Sequence, residues 1–136
     1  MAKTASDVKR QIAEINRRSA EVFTQTIPRK IERALTAAAI VVGNKAIEYT
    51  PTEYGLLANS QYREVRDNGA GGYFARIGYT ADYALPLHER TDWSPRPPEL
   101  KSGPSWNSRA KPGYLSAAGE ETKVTVRRIM LGDLKL

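Results

Sequence analysis

The chain contains no cysteine, which rules out disulfide bonds and thiolate metal sites together and fits a reducing compartment. It has one histidine, His88, followed by Glu89. A lone His-Glu pair falls short of the three or four ligands that a metal centre wants. No long hydrophobic run occurs: the most apolar stretch, Ala37 to Val42, is far too short to span a bilayer. The opening residues, MAKTASDVKRQIAE, turn charged and amphipathic at once and hold no apolar signal-peptide core. A soluble cytoplasmic product without membrane contact is expected. A phosphate-cradling loop is also missing, because Gly69-Ala70-Gly71-Gly72 has neither a strand-loop-helix setting nor a Lys-Ser/Thr tail. No serine stands in a nucleophile elbow, and the carboxylates are scattered among basic residues. We therefore expect no catalysis and no cofactor.

What is present is one domain's worth of chain, 136 residues, enough for one modest core. Hydrophobic residues at 40% and charged residues at 26% exclude a collagen-like or fully disordered chain. The net charge is +6, with the excess in Lys3 to Lys45 and in Arg109 to Lys135. That balance permits contact with nucleic acid or with an acidic protein surface. It equally describes a well-solvated helix face.

Val8, Ile12, Ile15 and Phe23 recur at roughly helical spacing, and Ser6 or Asp7 fits an N-cap. Pro28 should break or kink this helix near Thr26, and a second helix should run from about Pro28 to Tyr49. Its apolar stripe is Ile31, Leu35, Ala38, Val42 and Ala46, widened by Ile40 and Ile47. Gly43 within it marks a close approach. Pro51 ends that helix, and Gly55 supplies a backbone angle that other residues avoid. Gln61 to Arg66 and Tyr73 to Tyr79, around the turn Asp67 to Gly72, read as a β-hairpin. Tyr83 to Glu89 reads as a third strand, placed at an edge or bulge by Pro86. From Arg90 to Ala110 the pattern gives way to a long proline-rich loop carrying Trp93 and Trp106. Loops of that length are usually functional or disordered, and the tryptophans argue for a surface to bury against. TKVTVRRIML is rich in β-branched residues and would suit a strand, but Leu115, Ala118, Thr122, Val126 and Ile129 fit the helical period better, so a C-terminal helix is expected, with Pro112 near its start.

The stretch TPTEYGLLANS, Thr50 to Ser60, resembles a motif of the tail-completion, or minor tail, proteins of tailed bacteriophages. Thr50, Pro51, Gly55, Leu57 and Ser60 match it, whereas Tyr54 and Ala58 depart from it. Two further blocks, Tyr83-Ala84-Leu85-Pro86-Leu87-His88-Glu89 and Lys111-Pro112-Gly113-Tyr114-Leu115, resemble that family's later strand and helix start in the same order. The resemblance implies an α+β fold: a small antiparallel β-sheet with a long helix and a C-terminal helix packed on it. To this the chain adds an N-terminal helix (1–27), ahead of a single domain (28–136) with an extended loop (90–110). The implied function is structural, as a ring of subunits at the head–tail junction, or neck. Its partners would be other copies, connector or portal-side proteins, and tail terminator or tail tube proteins, with nonspecific contact to DNA in the lumen. Trp93, Arg96, Trp106 and Arg109, with His88 and Glu89, are the candidate interface residues, since aromatic and arginine side chains are enriched at interface hot spots. Two alternatives remain at this point. One is a basic nucleic-acid-binding domain acting through phosphate contacts; the other is a small hydrolase using His88 and Glu89.

Overall fold

The structure is a computed structural model that describes residues 2, 4–51, 55–91 and 109–134. Helix α1 spans Ala5–Glu21 and opens on a capping box. Thr4 is the N-cap, accepting from the Asp7 backbone N–H while the Asp7 carboxylate accepts from Thr4. The cap thus lies upstream of Ser6, and Asp7 is its third-position partner, the reciprocal arrangement that satisfies two free amides. Those bonds hold the Asp7 carboxyl below its ordinary range.

Pro28 does not break the helix. Instead Val22–Thr26 forms a π-helical turn, through which α1 runs directly into α2, Ile27–Tyr49. The Ile27 N–H reaches back to the Val22 carbonyl. This wider turn lets the chain pass the carbonyl that a proline ring would strike in a regular helix. Thr50, the residue before Pro51, turns extended at φ −79° and ψ 132° and ends α2 there.

The residues that α2 buries are small: Ala34, Ala38, Ala39, Gly43 and Ala46. Ile40, expected to widen the buried stripe, is 44% exposed. Small residues win the interior positions because α2 is approached closely from two sides. Helix α5, Tyr114–Asp133, starts beside the end of α2, runs back along it, and buries Ala118 and Thr122. On the other side stands the hairpin, β1 (Gln61–Asp67) against β2 (Tyr73–Tyr79), antiparallel with Gln61 opposite Tyr79 and Asp67 opposite Tyr73. Gly43 sits at a close approach, where a Cβ would run into the Arg63 guanidinium. The hairpin turn is held by Asn68 Oδ1, which accepts from Ala70 and Gly72 amides at 2.9 Å each.

Among the described residues the sheet has only these two strands. Tyr83 to Glu89 is not a third one: Ala84–Glu89 is a short helix, with α3 (Leu56–Asn59) preceding it in the chain, and is named α4. Pro86 sits in its first turn, where a missing N–H costs nothing, and Leu87 N–H donates to the Tyr83 carbonyl. The result is an α+β domain that is mostly helical. No helix of the described residues is long and apolar enough to cross a membrane.

Candidate functional site

The three motif blocks meet in one place. Leu57, Ala84 and Tyr114 form a buried cluster, with Tyr49, Tyr79, Ala81, Leu87 and Leu115 packed around it. Leu57, Ala84 and Tyr114 come one from each block. Gly55 takes a left-handed conformation at φ 70° to start α3, which carries Leu57 inward to 1% exposure. Ser60 closes that turn, its hydroxyl donating to the Leu57 carbonyl at 2.8 Å. Tyr114 follows Gly113, itself left-handed at φ 64°, and its phenol donates to the Ala84 carbonyl at 2.9 Å. Burial, with Tyr79 and Tyr83 adding to it, pushes the Tyr114 phenol up to about 12. The Tyr79 and His88 rings both stand edge-on to it, at 5.3 and 5.0 Å.

Backbone bonds stitch the same blocks together. Lys111 N–H donates to the Tyr49 carbonyl, and Gly113 N–H to the His88 carbonyl at 2.7 Å. Thr50 is wholly buried and bonds twice, donating to the Ala46 carbonyl and sharing a 2.8 Å contact with the Tyr79 hydroxyl. Gln61 reaches both Tyr79 and the Gly43 carbonyl, so this polar seam runs from the end of α2 into the hairpin. A buried hydroxyl is tolerable only with such partners.

His88 and Glu89 line a cleft of about 320 Å³ between α4 and the start of α5, with Leu85, Tyr114 and Leu115. The imidazole is directed at α5 rather than at Glu89. Its Nε2 faces the Ser116 amide at 3.4 Å and the Ser116 hydroxyl at 3.5 Å. Ser116 is the third residue of α5, whose amide has no intrahelical partner. His88 thus supplies a cap that Gly113, without a side chain, lacks. Glu89 is exposed.

Arg109 joins a second, solvent-facing cluster. It lies 3.5 Å from Glu48, which Lys45 also meets at 2.9 Å. Glu121 on α5 accepts from the Tyr49 hydroxyl and lies 3.3 Å from Lys111, whose ammonium sits 3.9 Å above the Tyr49 ring. The Tyr49 and Lys111 contacts hold the Glu121 carboxyl below its usual range. These charges are mated across α2, α5 and the chain just before α5. Among the described residues no group of three or more acids and histidines is placed to hold a metal.

Trp93, Arg96 and Trp106 lie outside the described residues, as does Tyr54 within the first motif. Ser116, Glu121 and Gln61 were not legible as participants. Each is a common polar residue whose only signal is its distance along an element from a motif residue. Comparison of the chain with family models, with curated proteins and with solved structures found no match.

Proposed function

We propose that this chain is a structural virion protein of a tailed bacteriophage, a ring-forming tail-completion or head–tail joining subunit without catalytic activity. The observation that carries the reading is the convergence of the three blocks on Leu57, Ala84 and Tyr114. Blocks that recur in fixed order because they specify a fold should touch in the folded chain, and these do. One feature runs the other way: the Tyr83–Glu89 block is helical here, where the resemblance implies a strand. The ring would join the portal-side connector to the tail, with the Arg90–Ala110 loop reaching a neighbour and the basic excess facing DNA or an acidic ring.

The test is cryo-electron microscopy of purified particles at the junction of capsid and tail. A symmetric ring of this polypeptide there supports the proposal and names its partners. Its absence from particles, with the chain recovered on intracellular DNA in a steeply salt-dependent manner, overturns it in favour of a phosphate-binding basic domain.

A further inference from the structure

Helix α1 repeats every seven residues. Written as ASDVKRQ, IAEINRR and SAEVFTQ, residues 5–25 put Ala5, Ile12 and Ser19 in the first position and Val8, Ile15 and Val22 in the fourth. Those two positions form one seam along a helix, the pattern by which helices pair. The third position is always acidic (Asp7, Glu14, Glu21), and Arg10 and Arg17 occupy the sixth. The third repeat runs into the π-helical turn Val22–Thr26, whose wider winding shifts the phase of the helix, so within α1 itself the seam is Ala5, Val8, Ile12, Ile15 and Ser19. After it, the apolar face is the one that α2 turns to the hairpin and α5.

No residue of α1 is buried. On the seam, Val8, Ile12 and Ile15 are 43%, 53% and 61% exposed, and beside it Phe23 is 71% exposed. The charges of the second half of the helix, by contrast, are paired along it. Glu14 accepts from Arg17 and Arg18 at 2.8 Å each, and Arg17 also lies 3.5 Å from Glu21. Those bonds, to Arg17 first and then Arg18, hold the Glu14 carboxyl down at about 2. Four basic residues (Lys9, Arg10, Arg17, Arg18) against three acidic ones leave residues 5–25 at only +1 of the chain's +6. Such a helix offers little field to nucleic acid or to an anionic lipid surface.

We propose that α1 is a self-association arm that pairs, parallel and in register, with α1 of a second copy of this chain. The charges favour this occupant. In the parallel arrangement, seventh positions meet fifth positions of the partner copy, which within α1 sets Gln11 against Asn16. No like charges meet between these positions of α1. Register follows from Ser19. Parallel pairing places the two Ser19 hydroxyls together, as polar first-position residues do when they fix register. Antiparallel pairing would press each against a valine or isoleucine. The proposal does not depend on the head–tail reading, since it concerns only what covers α1.

Because the chain has no cysteine, Ser19→Cys introduces a single thiol at a first position, and Ala20→Cys is a neighbouring control off the seam. Under mild oxidation of the full chain at about 10 µM, the Ser19→Cys protein should form disulfide dimer about a hundredfold faster than Ala20→Cys. That is the ratio of an effective concentration on the order of 1 mM to the free concentration. Wild-type mass by light scattering should rise with concentration, and Ile12→Glu with Ile15→Glu should abolish both effects while leaving the melting of the domain unchanged. Equal cross-linking at 19 and 20 overturns the proposal, and it decides alone if the glutamate variant misfolds. An assembled mass that survives the two glutamates overturns it in favour of another surface. A monomer that floats with phosphatidylserine vesicles overturns it in favour of lipid. Fast Ser19→Cys cross-linking in a chain absent from phage particles would leave this proposal standing and the head–tail reading fallen.

Discussion

Replacing Leu57 by alanine removes three carbons from a side chain only 1% exposed, at the point where all three motif blocks meet. At about 0.8 kcal/mol per buried carbon, the transfer loss alone is about 2.4 kcal/mol. The site is enclosed by Ala84 and Tyr114, and Tyr114 is anchored by its bond to the Ala84 carbonyl, so it cannot slide in to refill the gap. The residual cavity raises the cost to about 3 kcal/mol. For a chain of this size that corresponds to a fall in Tm of roughly 10 °C. The internal control is the adjacent residue. Leu56 belongs to the same four-residue helix but is 62% exposed, so Leu56→Ala should change stability by no more than about 0.5 kcal/mol. Helix propensity shifts equally in both variants, so it cancels from the comparison. Urea unfolding of the two proteins beside wild type reads the difference directly. Equal losses, or a Leu57→Ala cost below about 1 kcal/mol, would refute the placement of this cluster as the fold's anchor.

Tyr114→Phe should cost about 1 kcal/mol through the lost bond to Ala84. The same residue sets an alkaline limit. Its folded phenol titrates near 12 rather than 10.0, so between those values the unfolded chain has given up a proton that the folded chain keeps, and stability falls as pH rises. In the phenylalanine variant that component of the alkaline decline should be missing from unfolding measured at pH 9 to 12. Gly43→Ala would push the Arg63 guanidinium off Gln61 and Asn44, which should offset the helix propensity gained, up to about 1 kcal/mol. In an Arg63→Ala background the gain should appear in full, and additive urea midpoints would contradict the close approach. Replacing Trp93 and Trp106 together with alanine should abolish assembly into particles with the monomer's melting unchanged. A matching loss of monomer stability would assign them to the core.

The features legible in the sequence were those fixed by backbone chemistry. Pro51 forces the residue before it to extend, and the Asp67–Gly72 turn needs left-handed glycines at 69 and 71, so the end of α2 and the hairpin stand where the residues place them. The misreadings share a different cause, namely that local patterns have more than one tertiary solution. Pro28 demands relief from a clash, and a π turn relieves it as well as a break does. Tyr83 to Glu89 is apolar enough for a strand, yet Pro86 is equally at home in a first helical turn, and packing against Tyr114 decides. Of the candidate site, the turn residues were visible, but the contact of His88 with the α5 amide was not. It joins residues 28 apart in sequence, and no periodicity links them.

Periodicity has the same limit on α1, with a larger consequence. The spacing of Val8, Ile12 and Ile15 establishes that one helix face is apolar; it cannot say what covers that face. The buried stripe of α2 is lined by alanine and glycine, because α5 and the hairpin come close, and among the described residues the largest fully buried side chains are Tyr114, Leu57 and Thr50. A core of that kind combines close approach and satisfied polar groups with a single bulky aliphatic anchor among the described residues, Leu57. Other bulky residues, Ile12, Ile15, Phe23, Val124 and Leu131, stand outside it. Folding of the monomer therefore leaves them uncovered, and the hydrophobic gain of covering them is available only to association. Because none of them contributes to the core, selection on assembly can change the seam of α1 without disturbing the knot around Leu57. That separation is why the seam variants and the Leu57 variant should act on different observables, mass in the first case and melting in the second.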